Sequence, residues 1–394
     1  MRLGEVCESV SQTFREQAEK VVLINTSDVL DGRVTNHSYV PNENLRGQFK
    51  KTFQLNDILY SEIRPRNRRF AFVDFDASGY VASTKLMVIR GNEKVLPEFL
   101  FQILKSDLVI NQLQLMAESR SGTFPQITFS ELAALDVSIP SIAEQREIAA
   151  TLRAFDDKIA NNTKINRHLE EMARAMFKHW FVDFGPWGGE IPINWTFGKA
   201  GDFFDISIGK TPPRKEPHWF STNPQDVIWV SISDMSSCGV FIGDSSEYLT
   251  AESIAKFNIK IVPSGTVLLS FKLTVGRVAI TNGEMTTNEA IAHFKRSDDT
   301  ATEYLFCYLK AFDYQSLGNT SSIATAVNSK TIKAMSFVMP DEKVLREFHE
   351  ATAPLFQQIR VNLEESARLA TLRDILLPRL MSGELPVADP PAVK

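Results

Sequence analysis

An internal repeat limits what this 394-residue chain can fold into more than any other feature. Shifted by 200 residues, Pro140-Ser-Ile-Ala-Glu-Gln-Arg146-Glu147 aligns without a gap on Pro340-Asp-Glu-Lys-Val-Leu-Arg346-Glu347. Identities continue at Ile159/Ile359, Asn162/Asn362 and Leu169/Leu369. Such an echo means that one supersecondary unit is used twice. Each Pro stands where a helix can start, and the acidic residues after it suit a helix N-terminus.

The apolar pattern extends the repeat. Its first copy runs Ile148, Leu152, Phe155, Ile159, Asn162, Asn166, Leu169, Met172, Met176, Trp180. The second runs Phe348, Thr352, Leu355, Ile359, Asn362, Ser366, Leu369, Leu372, Leu376, Leu380. Steps of three and four sustained this far describe a coiled-coil seam. Nothing interrupts 141–183, which predicts a helix of about 38 residues, or roughly 57 Å. The second helix is expected to break only near its end, at Pro378. Antiparallel pairing would bring Asn162 to Asn362 and Asn166 to Ser366, and buried polar residues of this kind fix register. Separate docking of each helix on a globular body is the alternative.

The segments before the helices repeat as well. Val22-Leu-Ile-Asn-Thr-Ser-Asp28 returns as Ile228-Trp-Val-Ser-Ile-Ser-Asp234, and Ile58-Leu-Tyr-Ser61 as Val267-Leu-Leu-Ser270. Leu100-Phe101 with Leu104-Lys105 returns as Leu305-Phe306 with Leu309-Lys310. Ile127 to Leu132, Val137 and Pro140 are mirrored by Val327 to Ile332, Phe337 and Pro340. β-branched and aromatic runs bounded by turn residues read as strands, and the Leu-Phe segments as short helices. The expected fold is mixed α/β (α+β), with two globular domains separated by two long helices in an antiparallel coiled coil. The boundaries are 1–142 (first domain), 143–185 (central helix), 186–340 (second domain), 341–385 (C-terminal helix) and 386–394 (tail). Phe184-Gly-Pro-Trp-Gly-Gly-Glu-Ile-Pro-Ile-Asn194 turns the chain between halves.

A net charge of −5 works against a bulk electrostatic grip on nucleic acid, and none of these segments is basic overall. Any anionic partner has to be met by local patches. Cys7, Cys238 and Cys307 are too sparse for a disulfide framework. The residues after Met1 carry an early charge and no apolar run, so no signal peptide is expected, and no run approaches the roughly 20 apolar residues of a membrane span. A soluble cytoplasmic protein without membrane contact is expected.

Catalytic motifs are missing from the sequence. Gly209-Lys210-Thr211 ends like a phosphate-binding loop, but Phe204 occupies the position of its first Gly, and Pro212-Pro213 follows. Asn223-Pro224-Gln225 lacks the second Pro and the aromatic residue with which methyltransferases hold a flipped base. The six histidines are scattered, and no metal-ligand spacing occurs. The sequence predicts no catalysis, cofactor or metal for this chain.

What remains are basic loops at matching points of the repeat. Arg64-Pro-Arg66-Asn-Arg68-Arg69 follows Ile58–Ser61, and Ser270-Phe-Lys272-Leu-Thr274-Val-Gly-Arg277 continues the equivalent Val267–Ser270 run. Lys210-Thr211-Pro-Pro-Arg214-Lys215 adds another. Arg, Lys, Ser and Thr on equivalent loops suit phosphate and base-edge contacts. The candidate DNA-binding residues are therefore Arg64, Arg66, Arg68, Arg69, Lys210, Thr211, Arg214, Lys215, Ser270, Lys272, Thr274 and Arg277. The candidate helix-pairing residues are Ile148, Leu152, Phe155, Ile159, Asn162, Leu169, Leu355, Ile359, Asn362 and Leu369.

The whole chain resembles the specificity subunit of type I restriction-modification enzymes. The likeness rests on Pro140 with Glu144-Gln145-Arg146-Glu147-Ile148, on Gly209-Lys-Thr-Pro-Pro213 and on the two strand-loops. Leu376-Leu-Pro-Arg-Leu-Met-Ser-Gly-Glu-Leu385 completes the set. The resemblance implies two target recognition domains, each reading one half of a bipartite, asymmetric double-stranded DNA target. It implies helices that set the gap between half-sites and dock two modification subunits. Those partners would use S-adenosylmethionine, and restriction/motor subunits ATP and Mg. A rod of this length could place two readers in successive major grooves, about 34 Å apart. A protein-binding coiled-coil adaptor without DNA specificity is the alternative. In one respect the halves differ: the chain starts at Leu3-Gly-Glu-Val6 with no counterpart of Ile191-Pro-Ile-Asn-Trp195.

Overall fold

A computed structural model describes residues 1–15, 18–43, 47–120, 124–236, 238–317 and 328–386. Val327 and residues 387–394 of the expected tail lie outside the described residues. Two compact units emerge. One comprises residues 1–160 with 366–394, the other residues 161–365. The division falls inside both long helices, so each unit owns one globular body and half of each helix, whereas the sequence boundaries set the helices apart.

In the first unit, four antiparallel strands lie in the order Cys7–Val10, Leu86–Gly91, Ile58–Ser61, Phe70–Phe72. Ile58 and Tyr60 point to one side, with Met87 and Ile89, into a core shared with the helices Pro97–Leu104 and Asp107–Arg120. Leu59, Ala71 and Val88 point to the other side, against Val22, Ile24 and Ala82 of a second sheet. Two-residue periodicity with apolar groups on both faces is what a strand covered on both sides requires. That second sheet pairs Lys20–Ile24 in parallel with Tyr80–Ser83.

The second unit repeats the plan. Asp205–Ile208, Ile291–Lys295, Val267–Ser270 and Val278–Thr281 occupy the equivalent places, with Phe241–Ile242 added at the edge. Val267 and Leu269 join one core and Leu268 the other. Val227–Val230 pairs in parallel with Thr286–Thr287, matching the parallel pair of the first unit. The strand Thr196–Lys199 pairs with Ser336–Met339, ending at the rung Lys199–Ser336. In the first unit the corresponding feature is a single rung, Arg2–Asp136.

Both long helices span 40 residues, Ile142–Phe181 and Glu342–Met381, or about 60 Å each. Their starts explain the repeated motif. Ser141 and Glu144 form a reciprocal cap, with Ser141 N–H donating to Glu144 Oε2 at 2.9 Å and Glu144 N–H to Ser141 Oγ at 3.4 Å. Gln145 is buried; its amide donates to Lys94 O and Pro140 O and accepts from Leu96 N–H, riveting the helix start to the domain. Asp341 caps the second helix by accepting from Lys343 and Val344 N–H at 3.1 Å.

The C-terminal helix does not break at Pro378, and it also runs through Pro354, an interior proline the repeat alone did not flag. A proline removes one helical hydrogen bond. Both prolines are exposed, while Phe348, Phe356, Ile359 and Leu377 bury the opposite stripe and hold the helix together.

Within each unit the helix halves pack antiparallel. In the first, Ile148, Leu152 and Phe155 meet Leu376, Leu377 and Leu380 in one cluster. Here Asp156 receives Arg373 Nη1 at 2.9 Å, Gln102 Nε2 at 3.2 Å and the Lys105 ammonium. Burial raises the Asp156 pKa, but the two cations outweigh it and hold the carboxyl below its usual range. In the second unit Leu169, Leu355 and Ile359 join the core. Asn162 and Asn362 are buried as expected. Asn162 Nδ2 donates to Glu365 Oε2 at 2.7 Å, and Asn362 Nδ2 to Asn166 Oδ1 at 2.8 Å. Asn166 thus meets Asn362, where the sequence pattern pointed it at Ser366.

The seam also drifts. Met172 and Leu372 are exposed, and Ala173 and Phe177 take the buried places. Ile159 and Leu369 are half-buried. A straight helix turns by 3.6 residues, so a strict heptad stripe rotates off the contact within a few turns.

Candidate nucleic-acid interface

The two basic loops close in the same way. Ser61 N–H donates to Arg69 O at 2.8 Å, and Ser270 N–H to Arg277 O at 2.9 Å. Each loop therefore starts and ends at the tip of the central strand of its sheet. In the first, Ile63 N–H donates to Ser61 Oγ at 3.1 Å, Arg64 takes a left-handed φ of 45°, and Pro65–Asn67 forms one tight turn. Arg66 N–H donates to Gln114 Oε1 at 3.1 Å, which ties the turn to a helix.

This geometry sorts the four arginines. Arg68 binds Asp31 at 2.9 Å and Asp107 at 2.7 Å. Arg69 Nη1 donates to Ser27 O and, more weakly, to Val29 O, at 3.1 and 3.4 Å. Both brace the loop. Arg64 and Arg66 are exposed at its outer edge.

The second loop makes a similar distinction. Ser270 is fully buried; its hydroxyl donates to Thr274 O at 2.6 Å and accepts from Arg277 N–H at 3.0 Å. The DNA contact expected of Ser270 is thus ruled out by burial, and its role is to shape the loop. Arg277 donates to Ile232 O at 2.5 Å. Lys272 is half-buried near the Phe271 ring, and Thr274 is exposed.

The Gly209–Lys215 loop is a clamp. A Cβ on Gly209 would lie 2.1 Å from Thr287 Oγ1 and 2.2 Å from Thr287 O. Only glycine fits, for packing and not for phosphate binding. Lys210 Nζ donates to Phe257 O at 2.6 Å, and Thr211 bonds Glu289. Arg214 lies 4.1 Å from the Phe220 ring centroid and 4.6 Å from that of Trp229, and binds Glu247 through both nitrogens at 2.6 and 2.9 Å. Lys215 is exposed. Gly209→Ala should therefore destabilise the second unit by about 3 kcal/mol, read from its denaturant midpoint. A loss below about 1 kcal/mol would mean that the clamp yields easily.

Beside this loop, His293 is buried, with Nε2 2.7 Å from Thr287 Oγ1 and Nδ1 3.3 Å from Ser207 Oγ. Burial, with Lys295 and Lys260 nearby, pushes its pKa down to about 3. The unfolded chain protonates this ring near pH 6.5 and the folded chain does not, so stability is full above pH 6.5 and falls below it. The expected loss is roughly 2 kcal/mol between pH 7 and pH 5. His293→Gln should flatten that slope in urea unfolding; parallel slopes would refute the assignment.

Among the described residues there is no cluster of three or more His, Cys, Asp or Glu fit for a metal, and no helix is long and apolar enough to cross a membrane.

The two units thus carry equivalent strand-loops on equivalent sheets. Residues 1–171 and 192–346 match the type I restriction modification DNA specificity domain, and the chain belongs to this family. It is 31% identical over 456 residues to the type I restriction enzyme HindI specificity subunit of Haemophilus influenzae, spanning 97% of this chain and 98% of that protein. The MjaIX specificity subunit of Methanocaldococcus jannaschii is 28% identical over 338 residues, 79% of this chain and 76% of that protein. Among solved structures, the S subunit of a type I system from M. genitalium aligns over 96% of this chain and 95% of its own, with 15% identity and a TM-score of 0.49. The HsdS subunit of Thermoanaerobacter tengcongensis covers 98% of this chain and 96% of its own, with 21% identity and a TM-score of 0.41.

Proposed function

We propose that this chain is the non-catalytic reader of a type I restriction-modification complex, with one domain for each half of a bipartite, asymmetric DNA target. The observation that carries the reading is the equivalence of the two loops. Both leave the central strand at the same point and close on the same rung, and each is braced by its own polar groups. Their exposed residues differ, with Arg64 and Arg66 on one and Leu273 and Thr274 on the other. Equal frameworks with unequal tips suit two unlike half-sites.

The paired helices serve as spacer and as docking surface for two modification subunits, which bring S-adenosylmethionine; restriction/motor subunits bring ATP and Mg. The complex works in the cytoplasm, on double-stranded DNA. The chain's own side chains favour this division of labour. Burial pushes the thiol pKa of Cys7 up to about 12 and that of Cys238 to about 11, far from a reactive thiolate. With net charge −5, the subunit leaves much of the phosphate contact to its partners.

The test is methyl transfer from labelled cofactor to duplex DNA, by the chain alone and with modification subunits. The expected result is none alone and sequence-dependent transfer when assembled. Transfer by the chain alone would overturn the reading, and sequence-independent transfer by the complex would favour a protein-binding adaptor.

A further inference from the structure

We propose that Leu273 is the base-contacting tip of the second domain, the apolar counterpart of Arg64, and that it packs on the C5-methyl group of a thymine. The proposal rests on the reading above. Arg64 stands three positions after Ser61, and Leu273 three positions after Ser270, the matched ends of the matched strands. Both residues take the left-handed conformation, φ 45° for Arg64 and 60° for Leu273. Leucine seldom adopts it. Here it is imposed by the loop: Thr274 N–H donates across Leu273 to Lys272 O at 2.6 Å, and Ser270 holds Thr274 O. Gly276 N–H returns to Ser270 O at 3.0 Å, and the Tyr314 ring would lie 3.0 Å from any Cβ at Gly276, which locks the loop from beneath.

The strained turn thus lifts one apolar side chain out of the protein. Leu273 is 83% exposed, far more than the other exposed leucines among the described residues. A strained, rigid backbone that serves to expose a leucine has no stabilising purpose in the folded chain. Leucine carries no donor or acceptor, so it cannot read the polar pattern of a base edge. The thymine methyl is the apolar feature that the major groove offers it. Lys272 and Thr274 flank the tip and supply the polar contacts around it. The first domain puts a guanidinium at the matching position, so the two halves would read unlike bases from equivalent loops.

The experiment uses the full chain assembled with its modification subunits. Motifs are selected from a random duplex library by the wild type, by Leu273→Ala and by Leu273→Gly, the last of which keeps the turn because glycine accepts the left-handed conformation. Both variants should lose preference at one thymine position of one half-site and keep the other half-site and the gap. Deoxyuridine in place of that thymine should weaken the wild type about fivefold and leave Leu273→Gly unchanged. An unaltered motif in both variants overturns the proposal. So does a lost preference that is indifferent to deoxyuridine at every position, which is the behaviour of a wedge between base pairs. A wild-type complex that selects no motif overturns instead the recognition reading.

Discussion

Changing Arg64 and Arg66 together to alanine is expected to lower affinity for the cognate duplex by roughly 100-fold or more, with the whole loss in one half-site. Each good base contact contributes about 1–3 kcal/mol of discrimination, and two of them reach this range. The fold should survive, because both side chains are exposed and the loop is held by Arg68, Arg69 and the backbone. Competition binding with duplexes mutated in one half-site at a time makes the distinction. If the double variant weakens all duplexes equally, the pair contacts phosphate and specifies nothing. If it fails to assemble with modification subunits, the cluster is structural.

Asp156→Ala should have the largest effect on stability, about 3–5 kcal/mol. It leaves the largely buried Lys105 without its carboxylate and Arg373 with Asp374 alone. Asp156 is also where a helix of the first domain, the central helix and the C-terminal helix meet, so the domain should loosen from its helical support. Adding Lys105→Met to Asp156→Ala should restore part of the loss by removing one stranded charge. Urea unfolding of the two variants checks this; a cost below about 1 kcal/mol for Asp156→Ala would show that water reaches the site and screens the charges.

The parts of the fold legible in the sequence are those set by local chemistry. Pro140 and Pro340 announce the helix starts, and Ile58–Ser61 and Val267–Ser270 announce central strands, because capping and alternation act over a few residues. Asn162 and Asn362 mark the buried polar layer because they interrupt an apolar stripe. Pairing over long distance left no such trace. Asp156 and Arg373 lie 217 positions apart and on helix faces that look solvated in sequence. The heptad pattern places Met172 in the seam because it takes no account of helical drift. The loops were legible as basic, but which arginines are consumed by Asp31, Asp107 and backbone carbonyls depends on the folded turn. Leu273 carries no charge and so gives no sign of a DNA contact in the sequence. Its signal is positional: it stands three residues after Ser270, as Arg64 does after Ser61.

On this reading, two unlike readers share one chain. Selection from a random duplex library by the wild-type chain assembled with modification subunits tests it most directly. The expected motif is two short blocks of different sequence separated by a fixed gap without preference. A palindromic motif, a single block or no enrichment would contradict it.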